Sequence, residues 1–154
     1  MIPFDRQEAI HIARKWVGTK HEWYARTPGE ALDCIGFVAC LGRALGYDIP
    51  EPILDGEKPY YEIGVTNPTL YIKYANLWGY PSKNDPRPGD ILLLDPKHVI
   101  FTDATDPNSI IHNALYTGKT IIHCGPKGVE EEPFTDEWDL AIRGIFSFRG
   151  YSRE

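Results

Sequence analysis

The hydrophobic pattern of this 154-residue chain changes period once, and that change limits the folds open to it. Up to Gly46, apolar residues recur at helical spacing. Ala9, Ile10, Ala13, Trp16 and Val17 form one stripe, with Asp5 and Glu8 placed as a capping box before it and Gly18 as the stop after it. Ile35, Val38, Leu41 and Leu45 form a second stripe, predicting a helix that opens at Asp33 or Cys34 and ends near Gly46. From Pro88 the period becomes two. Short runs at Ile91–Leu94, His98–Thr102, Asn108–Ala114, Thr120–Cys124 and Ala141–Phe148 alternate with turn residues. Between the two regimes lies a Pro- and Tyr-rich stretch. There Asn67 as cap and Pro68 in the first turn predict one short helix with Leu70, Tyr74 and Leu77 inward. Helices first and an antiparallel meander after them predict an α+β fold with helices packed on one face of a sheet. No repeat or long linker divides the chain, so residues 1–154 read as a single domain.

Composition removes several classes of function. Lys and Arg number 16 against 22 Asp and Glu, a net charge of −6, which disfavours a dedicated nucleic-acid binder. No apolar run approaches the roughly 20 residues of a membrane helix, and no secretory signal pattern opens the chain, so no membrane role is expected. The three cysteines, Cys34, Cys40 and Cys124, are too sparse for a disulfide framework and direct attention to thiol chemistry.

Cys34 stands where the second helix begins. Free backbone N–H groups and the positive end of the helix dipole stabilise a thiolate there, and a neighbouring histidine would activate it further. The meander can supply that histidine and a group to orient it. If Asp103–Pro107 is a five-residue hairpin loop, opposed residues sum to 210, and His98 faces His112 with Cβ atoms about 4.5–5.5 Å apart. Nucleophile, base and orienting residue would then be Cys34, His98 and His112.

These residues also match a family. Leu32-Asp33-Cys34-Ile35-Gly36-Phe37-Val38 resembles the Asp-Cys-Ser-Gly-Phe/Leu-Val motif of NlpC/P60 cysteine peptidases, and Arg87-Pro88-Gly89-Asp90-Ile91 is similar to their Pro-Gly-Asp-Leu strand. His98-Val99 resembles the His-Val-Gly strand that carries the base, and Ile111-His112-Asn113-Ala114 the Ile-His-Ala segment that carries the third polar residue. Gly18-Thr19-Lys20-His21-Glu22-Trp23 is similar to a Gly-Thr-Pro-Tyr-x-Trp stretch. The resemblance implies a papain-like α+β fold that hydrolyses peptidoglycan stem peptides, typically at the D-γ-glutamyl–diamino-acid bond. It implies Cys34 as nucleophile, His98 as base and His112 as orienting residue, with Asp33 and His21 lining the site, and neither cofactor nor metal. Ile35 replaces the usual Ser after the nucleophile, Ile100 the Gly two after the base, and His21 a Tyr.

A narrower likeness, through Ile142-Arg143-Gly144-Ile145-Phe146-Ser147-Phe148-Arg149-Gly150, is to the cell-wall peptidases encoded with phage and gene-transfer-agent tail genes. It implies a thiol protease in the virion tail, or in the host cytoplasm before assembly, with tail-tip or baseplate hub proteins as partners. Two alternatives share the fold: a structural tail component without turnover, and an amidase or acyltransferase.

Blander readings accompany these. Cys34 can be an inert core thiol, Asp33 a helix cap and Cys40 a core residue. His123-Cys124 resembles a metal or redox pair, but neighbours on a strand point to opposite faces. His11 and the Glu130–Glu132 run read as solvated surface, and Gly125-Pro126-Lys127-Gly128 as a turn.

Overall fold

A computed structural model describes residues 4–47, 49, 75–95 and 112–151. Helix α1 (Phe4–Lys15) begins slightly earlier than the sequence indicates, so Asp5 lies in its first turn instead of capping it. Three two-residue strands follow, β1 (Lys20–His21), β2 (Arg26–Thr27) and β3 (Ala31–Leu32), paired in the order β1-β3-β2. Helix α2 (Cys34–Ala44) opens at the expected residue. The remaining strands are β4 (Gly79–Pro81), β5 (Ile91–Leu94), β6 (His112–Tyr116), β7 (Thr120–Gly125), β8 (Gly128–Pro133) and β9 (Ile142–Phe148). They form one antiparallel sheet in the order β4-β9-β5-β6-β7-β8. A short helix α3 (Asp136–Leu140), capped by Thr135, precedes β9. None of the described helices is long and apolar enough to cross a membrane.

Period-two alternation splits the sheet into two buried faces. Ile91, Leu93, Leu115, Ile122 and Cys124 meet Phe37, Val38 and Leu41 of α2, while Leu92, Leu94, Ala114 and Ile121 meet Trp138 of α3. Each Leu or Ile withdrawn from water here contributes about 1.5–3 kcal/mol. β5 therefore carries an unbroken apolar run because both of its faces are covered.

The Pro-Gly-Asp segment fixes where β5 starts. Asp90 accepts from Arg6 Nη1 (2.7 Å), Ser147 Oγ (2.6 Å) and the Arg87 backbone N–H (2.9 Å), tying α1 and β9 to the head of β5. Arg6 and Asp90 are both buried, so deleting either would strand a charge, at about 3–5 kcal/mol. Gly89 has φ +93°, and a Cβ there would lie 2.7 Å from Arg6 Cβ, which restricts the position to glycine.

Two expectations change. Leu77 is half exposed, and it is Trp78 that turns inward. The strand expected at Asn108–Ala114 is described from His112 to Tyr116, and its hairpin to β7 turns through Gly118-Lys119, with the Thr117 N–H donating to the Thr120 carbonyl (3.0 Å). The expected strand His98–Thr102 and most of the predicted helix after Asn67 lie outside the described residues.

Candidate active site

Asp33 organises the thiol side. It is the N-cap of α2, accepting from the Gly36 N–H at 2.7 Å, and it also accepts from the Tyr24 N–H (2.7 Å) and Arg26 Nη1 (3.0 Å). One buried carboxylate thus ties the loop of residues 22–27 to the helix that Cys34 opens. Tyr24 pays a conformational cost for its place, with φ +67° in the left-handed region. Gly36 is required by close approach, since a Cβ there would collide with the Ala25 carbonyl. His21 pairs with Leu32 across β1 and β3, and its ring meets Trp23 edge-on at 4.8 Å. Trp23 and Tyr24 are exposed.

The Cys34 thiol is buried in the cluster with Ile122 and Cys124. Burial pushes its pKa up, the Asp33 and Cys124 charges push the same way, and the Ile35 N–H and Arg26 pull down more weakly. The helix N-terminus acts in the direction the sequence suggests, but desolvation outweighs it. The balance is upward, away from the preformed thiolate that the sequence suggests. Cys124 donates to the Leu32 carbonyl (3.1 Å), with burial holding its thiol up at about 12, and Cys40 donates to the Arg26 carbonyl (3.3 Å).

The imidazole side lies on the sheet. His112 opens β6 and His123 lies on β7, and Nε2 of His112 is 2.8 Å from Nδ1 of His123. Their rings are perpendicular, with centroids 5.0 Å apart. Nε2 of His123 is in turn 2.7 Å from Glu132 Oε2, and Glu132 Oε1 accepts from Trp138 Nε1 at 3.2 Å. Both imidazoles are buried, and the Trp138 ring covers them. Burial, then the charges of His123 and His21, hold the His112 pKa well below its ordinary value. A neutral imidazole at neutral pH is the form that can accept a proton.

Of the residues singled out in the sequence, Asp33 and Cys34 are adjacent at the head of α2, and the charge of His21 is felt by both Asp33 and His112. His112 shares its bond with His123, not with Cys34. The imidazoles project on the Trp138 face, whereas Cys34 packs with the α2 face. His98 lies outside the described residues. His123 and Cys124 do point to opposite faces. The Glu130–Glu132 run is not simple solvated surface: Glu131 pairs with Arg14 (3.0 Å), and Glu132 holds His123.

Sequence reasoning missed His123 as a site residue. With the two-residue turn at Gly118-Lys119, Leu115 pairs with Ile122 and Tyr116 with Ile121, so partners sum to 237. His123 then falls opposite Ala114, on the same face as His112. That parity was the available signal. His123, Glu130 and Glu132 also offer three ligand atoms within 4.8 Å of one another, enough for a cation. A cation there would take the Nε2 lone pair of His123 in place of the contact with Glu132.

The backbone arrangement can now be compared with solved structures. NlpC2 from Trichomonas vaginalis superposes with a TM-score of 0.65 at 19% identity, covering 94% of this chain and 46% of that one. An NlpC/P60 family protein from Bacillus cereus gives 0.58 at 18%, covering 93% and 40%, and an NLP/P60 family protein from Staphylococcus aureus gives 0.62 at 16%, covering 98% and 43%. The fold is that of NlpC/P60 proteins. At these identities the likeness is one of fold, and the chain spans under half the length of each of those structures. No family model and no curated protein matches the sequence.

Proposed function

We propose that the chain is a cysteine hydrolase that cuts peptide amide bonds of the bacterial cell wall, with Cys34 as nucleophile, His112 as base and His123 as orienting residue. The 2.8 Å contact between the two buried imidazoles carries this reading, because a base whose one nitrogen is held leaves the other for proton transfer. Strand order supports it. β6 follows and pairs with the Pro-Gly-Asp strand β5, and β7 follows β6, so His112 and His123 stand in the order base, then third residue, that the family resemblance implies. His98, given the base's seat by sequence, is the competing assignment.

In this scheme His112 Nδ1 takes the thiol proton as Sγ of Cys34 attacks the carbonyl carbon. The tetrahedral oxyanion is met by the Cys34 backbone N–H and the His21 loop. His112 then passes its proton to the departing amine, and water, deprotonated by the same imidazole, releases the acid from the thioester. The substrate we propose is a peptidoglycan stem peptide, cut at its D-γ-glutamyl–diamino-acid bond, with Trp23 and Tyr24 as exposed contact surface. The setting we propose, resting on the narrower sequence likeness, is a phage tail or tail-like particle whose hub proteins bring the enzyme to the wall.

Two observations favour the alternative of a structural tail component without turnover: the thiol is buried with its pKa pushed up, and it packs on the α2 face while the imidazoles meet Trp138. Digestion of purified sacculi and muropeptides separates the two readings. Mass spectrometry should show a new amine end that is lost in Cys34→Ser, and no product across several peptidoglycan chemistries would favour the structural component.

A further inference from the structure

We infer that Glu132 is a positioning residue that sets the tautomers of both imidazoles, and so decides which nitrogen of His112 is free to act as base. This deepens the catalytic reading above and rests on it for its functional consequence, although not for its geometry.

An ionised Glu132 only accepts, so the 2.7 Å contact with His123 Nε2 requires a hydrogen on that nitrogen. If that is the ring's single hydrogen, His123 keeps a lone pair on Nδ1. The 2.8 Å contact with His112 Nε2 can be a hydrogen bond only if His112 carries its hydrogen on Nε2. Nδ1 of His112 is left bare, the nitrogen that proton abstraction needs. Each step follows from donor and acceptor bookkeeping along Glu132, His123 and His112.

Glu132 is itself held. Trp138 Nε1 donates to its other oxygen at 3.2 Å, which fixes the carboxylate while the indole ring covers both imidazoles. The register puts Glu130 opposite His123, and Glu130 shares the face of Glu132, so β8 presents two carboxylates to this pair. The titratable groups around His123 are therefore His112 from β6, Glu130 and Glu132 from β8, and, through its charge on His112, His21 of β1. Of the two carboxylates, Glu132 is the one bonded to the ring.

The test reads the tautomers directly. Long-range proton–nitrogen NMR spectra of the whole protein labelled with nitrogen-15 histidine should show His112 and His123 both protonated on Nε2. In Glu132→Ala, Nδ1–H signals should appear at one or both rings. Glu132→Gln should keep the native pattern, because its amide oxygen can still accept from Nε2–H. Unfolding curves confirm that each variant is folded, and Trp138→Phe, which removes the clamp on Glu132 while keeping an aromatic ring over the imidazoles, gives a second perturbation of the same signals.

If stem-peptide hydrolysis is found, Glu132→Ala should lower kcat about 10- to 100-fold with KM little changed, and should displace the acidic limb of the pH profile. Unchanged tautomers in a folded Glu132→Ala would overturn the inference while leaving the hydrolase intact. The native tautomers with no hydrolysis by the wild-type protein would instead sink the proposed function and leave the role of Glu132 in ordering the two rings standing.

Discussion

The two halves of the candidate site are equally buried, and burial affects them in opposite directions. At the head of α2 it raises the Cys34 pKa; on the sheet it lowers that of His112. Both shifts favour the neutral form. A thiol and an imidazole each biased toward neutrality differ from the thiolate–imidazolium pair that an exposed helix N-terminus favours. The proton would move during attack, not before it. The halves also differ in how they are held. The thiol side hangs on one carboxylate, Asp33, with three donors, while the imidazole side is a relay of single contacts ending at Trp138.

The largest expected effect breaks the comparison by removing one half. Cys34→Ala should reduce hydrolysis of muropeptides by at least about 10³-fold with an unchanged unfolding midpoint, followed by release of the new amine. Next in size is the choice of base. His123→Ala should cost about 10²- to 10⁴-fold in kcat and His98→Ala much less; the reverse ranking would return the base's seat to His98.

A third measurement isolates the burial of His112. Its native pKa lies below the unfolded value near 6.5, so the unfolded chain binds the extra proton first as pH falls. Stability should therefore drop from about pH 6.5 downward, by up to about 1.4 kcal/mol per pH unit, until the native pKa is reached. Urea unfolding of the wild type at about pH 7 and about pH 5.5 should show this slope, and His112→Gln should lack that share of it. The smallest effect sharpens the thiol side. Asp33→Asn removes a charge that raises the Cys34 pKa, so iodoacetamide should label Cys34 faster, while weakened capping costs about 0.5–2 kcal/mol. Unchanged or slower labelling would mean that the Asp33 charge does not control the thiol.

Much of this arrangement is legible in the sequence. The two periods separate helices from sheet, and Asp33-Cys34 marks the head of α2 because a short carboxylate before an apolar stripe has a local physical meaning. What escaped reading depends on parity and on distant partners. The expected register pairs His112 with His98 on one side and stops short of the next turn, beyond which His123 lies on the other. Glu132 lies in a run of three acidic residues that looks solvated, and only the packing of Trp138 behind it distinguishes the third from the first two. Leu77 and Trp78 adjoin, and local pattern alone does not tell which of them the core takes.

β9 follows every other described strand in the chain, yet it lies inside the sheet, between β4 and β5. During synthesis on a ribosome, the Leu-rich strand β5 must therefore wait with one edge open until residues 142–148 emerge. A nascent chain lacking them could already carry Cys34, His112 and His123 but not the seam that joins α1 to the sheet through Ser147. Such a topology delays completion of the sheet until nearly the whole described chain has been made, and it gives a chaperone an obvious segment to shield meanwhile.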